Sequence, residues 1–227
     1  ILTLGFGQMF GLLSSAQQLF GETYGKGENF HLWFAAMALL SGSGTVLNAT
    51  FVMRFGMRRI AKWAYVMQTI VSGLALTLIL SGVLPQGLEF PVFFFWAVSV
   101  FFMAGVTFGN LNAMALQHMG HVAGMAASVV AAVSTIGAVL IAAPVGQLYD
   151  GTALPMVLAT LACSGLALLL MRRVAFAYPL GIVVFSGFIV TQLHRWSHTH
   201  SPVLLALSAL DLVVIGLTWR EWRGQRG

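Results

Sequence analysis

The sequence predicts an all-α, polytopic membrane protein of about eight transmembrane helices. Only 7% of its residues are charged and 59% are hydrophobic, against about 25% charged in an ordinary soluble domain. A water-soluble fold of this length could not cover its surface with so few charges, so lipid must be the solvent. The apolar residues also fall in runs of about 20, the length a helix needs to cross the hydrocarbon core. Finally, the 11 Lys and Arg sit in short clusters between those runs. That placement sets topology, so the pI of about 10.0 does not point to nucleic acid. The single cysteine, Cys163, lies inside an apolar run, which excludes an intramolecular disulfide and predicts a buried, inert thiol.

The runs place helices at 1–21, 30–54, 63–84, 90–112, 123–147, 153–171, 174–193 and 202–219. The first lacks a basic leader and ends in polar Ser14, Ser15, Gln17 and Gln18, so it does not read as a cleavable signal peptide. The chain begins at Ile1 rather than Met, which suggests upstream sequence. Arg54, Arg58, Arg59 and Lys62 follow the second run, Arg172 and Arg173 the sixth, and Arg220, Arg223 and Arg226 the last. An even number of helices puts all three clusters on one side with the N-terminus. The positive-inside rule makes that side cytoplasmic. Glu22, Glu28, Glu89 and Asp150 then fall at the outer face.

The runs differ in character. Phe90, Phe93, Phe94, Phe95, Trp96, Phe101 and Phe102 give the fourth a bulky surface suited to lipid. The fifth is rich in Ala, Gly and Ser, among them Ser128, Ala131, Ala132, Ser134, Gly137 and Ala138. Small residues let backbones approach, so this helix should lie against others. Gly7 and Gly11 form a GxxxG pattern with the same meaning.

Two stretches carry a family resemblance. Asn48–Lys62 (NATFVMRFGMRRIAK) resembles the short loop between the second and third helices of a half of the major facilitator superfamily. Gly56, Arg58 and Arg59 would there form the tight cytoplasmic motif loop. Residues 109–128 (GNLNAMALQHMGHVAGMAAS) and 146–155 (GQLYDGTALP) resemble the C-terminal half of the bicyclomycin and chloramphenicol exporter subfamily. The sequence departs from that pattern at Ala127, where Ser is usual. The resemblance covers residues 1–172 and implies a six-helix transporter half, with 173–227 adding two helices and a cytoplasmic tail. Such halves work in pairs with substrate held between them. The resemblance thus implies a complementary half or a larger membrane complex as partner, in a bacterial inner membrane. The last segment (HRWSHTHSPVLLALSALDLVVIGLTWREWR) resembles the end of a small bacterial membrane-protein family of unknown activity.

Asp211 is the only carboxylate in mid-span. An acid there costs about 2.5–3.5 kcal/mol on insertion scales, so it should face protein or water. It reads either as a proton or cation site or as a helix-pairing hydrogen bond to Ser186 or Gln192. His194, His198 and His200 crowd the link between the last two runs, as a Zn or Cu site or simply as interface residues. Met114, His118, His121 and Met125 would share one face of an unbroken helix, with Met53 and Met57 as a second pair. Thioether and imidazole suit Cu(I), whereas Gly120 and Gly124 argue for a break and Met is a routine core filler. Ser14, Gln17, Gln18, Asn110 and Asn112 should face a cavity or another helix rather than lipid. The resemblance puts their helices beside the substrate path. No GxSxG, HExxH or phosphate-binding loop occurs, so neither catalysis nor a cofactor is expected.

Three functions fit these features. Half of a drug or small-molecule exporter accounts for the resemblance and the polar residues of the first and fourth helices. A non-transporting subunit of a larger membrane complex accounts for the lack of an embedded acid in the first six helices. Copper uptake would use the Met and His residues.

Overall fold

The computed structural model describes residues 1–85, 87–172, 177–199 and 202–224, and they are helical almost throughout. Eight long helices follow in order: α1 (Leu2–Gln18), α2 (Phe30–Phe55), α3 (Met57–Ser81), α4 (Glu89–Leu116), α5 (Ala123–Gln147), α6 (Leu154–Met171), α7 (Ala177–Thr199) and α8 (Pro202–Gly224). A π-helical turn, Leu19–Thr23, continues α1, and a single 3-10 turn, Gly120–Val122, precedes α5. Among the described residues, five helical stretches, α2 to α6 with that 3-10 turn joined to α5, are long and apolar enough to cross a membrane. Helix α1 is shorter, at 17 residues, while α7 and α8 carry more polar side chains, including Gln192, His194, Arg195 and Asp211.

The chain forms two compact units, Ile1–Gly165 and Leu166–Gly227. In the first, the most extensive helix contacts are α1 with α5 and α2 with α4. Both pairs are parallel. Thr3 lies at Gly137, Gly7 at Ile141, and Ser14 and Ser15 at Gly146, so α1 and α5 run the same way. Gly44 lies at the Phe102 carbonyl and Asn48 at Asn110, so α2 and α4 do too. Helices joined by short links run antiparallel, so parallel neighbours cannot be consecutive. The first helix of each three-helix segment (α1–α3, α4–α6) therefore packs on the second helix of the other.

Glycine makes these approaches possible. A Cβ on Gly44 would stand 2.7 Å from the Phe102 carbonyl oxygen, and one on Gly137 would overlap the Thr3 methyl group. On α1, Gly7 faces α5 at Ile141, while Gly11 faces Met156 of α6. The fifth helix meets its expectation only in part. Ser134, Gly137 and Ala138 are buried, but Ser128, Ala131 and Ala132 are exposed.

The aromatic fourth helix departs in part from its expected lipid-facing character. Helix α4 packs against α1, α2 and α3, and of its seven expected lipid-facing rings only Phe95 is exposed. Phe93 and Trp96 are fully buried. Phe20 meets Phe30, Phe90 and Phe93 edge-on, and Trp33 meets Phe90 and Phe94 likewise. Aromatic rings prefer such offset contacts, so Phe90 and Phe93 are interlocked with other rings at one end of the bundle, whereas Phe94, Phe95 and Phe102 line an open groove.

The turn between α2 and α3 is tighter than expected. It consists of Gly56 alone, at φ 82°, a backbone conformation that suits glycine. Helix α3 therefore starts at Met57 instead of 63, and Arg58, Arg59 and Lys62 lie in its opening turns rather than in a loop.

In the second unit α7 packs along α8, and Gly181 of α7 touches Leu166 at the end of α6. Helix α7 extends to Thr199. His194 and His198 consequently stand on its last turns, ring centroids 5.1 Å apart, and not in a loop. His200, Arg173 and Arg226 lie outside the described residues.

Candidate functional site

The polar residues of α1 and α4 are not brought together. The ring of Phe6 lies 4.3 Å from that of Phe108 and Phe20 5.4 Å from Phe93, so the two helices run antiparallel and Asn110 is level with about Leu4 of α1. Gln17 is thirteen residues further on, which at 1.5 Å per residue is roughly 20 Å away in depth. Asn110 is buried and donates to Asn48 Oδ1 at 2.6 Å and to the Val106 carbonyl at 2.9 Å. It therefore ties α4 to α2, and Asn112 beside it is half-buried. Ser14, Gln17 and Gln18 are exposed at the far end of α1, with Ser14 donating to the Gly11 carbonyl.

Among the polar side chains buried in the first unit that the sequence reading did not single out are Gln8 and Ser72. Gln8 donates to the Leu4 carbonyl, and its Oε1 has no partner. Ser72 accepts from both Gln68 at 3.2 Å and the Trp96 indole at 3.1 Å, linking α3 to α4. Gln8 and Ser72 could have been flagged as polar side chains inside apolar runs; that Ser72 would meet the Trp96 indole, 24 residues away, could not.

The most enclosed polar cluster is in the second unit. Asp211 of α8 is fully buried, and its Oδ2 accepts from Gln192 Nε2 of α7 at 2.8 Å. Gln192 Oε1 in turn accepts from Ser208 at 2.8 Å, one turn before Asp211 on α8. Ser208 also donates to the Leu204 carbonyl at 3.0 Å. Asp211 Oδ1 is buried without a partner. Of the two partners expected for the acid, Gln192 is the one in place; Ser186 is exposed. A carboxylate here can pair the helices, and its free oxygen could also hold a proton or a cation.

The Met and His stripe does not form. Helix α4 ends at Leu116 and the chain turns before α5 begins at Ala123. The turn separates Met114 from Met125 and leaves His118, His121 and Met125 exposed. His118 instead shares a hydrogen bond with Gln117 at 3.0 Å. Gly56 likewise separates Met53 from Met57. Among the described residues no three His, Cys, Asp or Glu side chains converge as metal ligands.

At the opposite end of the first unit, Thr23 meets the Tyr149 hydroxyl at 2.9 Å and donates to the Gly151 carbonyl at 3.0 Å. Burial, then the charge of Glu89 and the Tyr149 phenol, push the neighbouring Tyr24 phenol up to about 12. The Thr152 hydroxyl, 2.7 Å from Asp150, holds that exposed carboxyl below its ordinary range.

An open groove of about 1230 Å³ lies between α2 and α3, with α4 as its floor. Leu47 and Phe51 form one wall and Trp63 and Met67 the other. Arg59 is the only charged residue lining it.

Residues 152–222 match the model of a family described as predicted membrane protein (DUF2127). The match takes in α6, α7 and most of α8, with Gln192, Ser208 and Asp211, and covers under a third of the chain. No curated protein matches the chain. No solved structure matches it either. With five helices long and apolar enough to cross a bilayer, the match makes this chain a multi-pass membrane protein.

Proposed function

We propose that residues 1–172 are half of a secondary transporter that exports drugs or other small amphipathic molecules together with a complementary half. The observation that carries this reading is the exchange of parallel partners, α1 with α5 and α2 with α4. Two three-helix segments of opposite orientation, each lending a helix to the other, are the arrangement expected of inverted repeats inside a transporter half. The exposed Ser14, Gln17 and Gln18 of α1 support it further, because polar groups within a membrane need a cavity or a partner helix. In this reading the three basic clusters face the cytoplasm of a bacterial inner membrane, with both termini, and the chain is not an enzyme.

A non-transporting subunit is the second reading. It is favoured by the acids of the first unit, Glu22, Glu28, Glu89 and Asp150, all of which lie at or beyond helix ends. Deleting the gene separates the two. Export predicts increased retention of an amphipathic cationic dye, restored by wild type but not by the Gln17→Leu, Gln18→Leu double variant. Unchanged retention, with co-purification in fixed ratio with a larger complex, would support the subunit instead.

A further inference from the structure

The groove between α2 and α3 asks for an unusual ligand. At about 1230 Å³ it exceeds the roughly 300–1,000 Å³ of pockets that enclose drug-sized molecules, and it is open along its side. The donors of its neutral polar residues are used within the protein. Ser43 donates to the Leu40 carbonyl, Ser99 to the Trp96 carbonyl, and Gln68 to Ser72. With the rest of the lining apolar, the groove suits an apolar ligand body.

Length then decides between a path and a seat. Along α3 the lining runs from Arg59 to Val71, twelve residues or roughly 18 Å. One leaflet of the hydrocarbon core is about 15 Å deep, half of about 30 Å. The groove's length thus matches the depth of a single leaflet, and α3 continues past it to Ser81.

Its surface end is positive. Arg59 lines the groove, and the Arg54 guanidinium lies 5.6 Å from the ring of Phe55, another lining residue. The acids of the first unit all lie at the other end of the bundle. Arg58, Arg59 and Lys62 open α3 at its N-terminus, where the helix dipole disfavours cations, so helix stability does not account for them. Trp63, one turn beyond Arg59 and 63% exposed, stands where indoles occupy the headgroup boundary.

We propose that this groove seats one anionic glycerophospholipid, its acyl chains between α2 and α3 and its phosphate held by Arg54 and Arg59. The site is independent of whether the protein transports and of which leaflet the basic end faces.

The test is native mass spectrometry of the full chain, delipidated in mild detergent and offered equal phosphatidylglycerol and phosphatidylcholine. Wild type should retain one lipid per chain, with about tenfold preference for phosphatidylglycerol. The Arg54→Gln, Arg59→Gln double variant should elute as wild type and lose the preference. Val98→Trp, which fills the groove floor, should lose both lipids; if it fails to fold, the arginine variant still decides. Glycerophosphate without acyl chains should not displace the lipid. Equal retention of the two lipids by wild type, a preference that survives loss of both arginines, or displacement by glycerophosphate would each overturn the proposal. So would a second copy of the chain occupying the groove in place of lipid.

Discussion

Gln192 and Asp211 meet at 2.8 Å across the α7–α8 interface, at a point where Asp211 has no exposed surface. A hydrogen bond adds about 0.5–1.5 kcal/mol net, whereas a buried acceptor left without its partner costs about 1–3 kcal/mol, and more when it is charged. The pair therefore matters less for what it adds than for what its loss exposes. Gln192→Leu should destabilise the protein by about 1–3 kcal/mol, and adding Asp211→Leu should recover much of that loss. A double-mutant cycle on thermal unfolding in detergent measures the coupling. Additive effects would mean that Gln192 does not shield the acid.

The α2–α4 contact makes a second prediction. A methyl group on Gly44 would meet a backbone carbonyl 2.7 Å away, while one on Gly42 would meet nothing within 4 Å. Gly44→Ala should cost about 1–3 kcal/mol, as overpacking does. Gly42→Ala should leave the unfolding midpoint unchanged or slightly raised. Equal midpoints for the two variants would contradict the close parallel packing.

Alkaline pH should loosen the end of the bundle around Tyr24. Its phenol is pushed up to about 12, so the folded state favours the protonated form. That contribution is complete below the ordinary value near 10 and is lost as the pH rises toward about 12. Glu89→Gln removes the second cause but not the first, which is burial, and should shift ionisation modestly downward. Phenolate absorbance as a function of pH, against a Tyr24→Phe control, follows it directly.

Copper accumulation should not depend on the Met and His residues. The turn at 117–122 breaks the face they would have shared. Replacing His121 and Met125 by Ala should leave cellular copper unchanged, as measured by elemental analysis. A clear fall would revive the copper reading.

Helix count and approximate position were legible because apolar run length is a local property. Residues 123–147 illustrate it, since α5 spans Ala123–Gln147. The α3 start was not legible: the charges at 58–62 look like a loop, and only the single-residue turn at Gly56 shows that they are helical. The Phe-rich part of α4 misled in another way. A ring suits lipid and protein core equally, and which it meets depends on the helices around it. Asp211 was recognisable from its place inside an apolar run, and Gln192 was one of two partners expected for it.

The sequence by itself determined that this chain lives in lipid and is built of helices, because those follow from hydropathy and spacing along the chain. Tertiary structure alone decided that α1 lies beside α5 and α2 beside α4, that Asn110 joins helices, and that Arg59 closes one end of an apolar groove. The reason is physical. In a bilayer the surroundings are as apolar as the side chains, so hydrophobicity does not choose a helix's neighbours. Close contacts at Gly44 and Gly137 and pairs such as Asn48–Asn110 accompany those choices, and both depend on which faces meet.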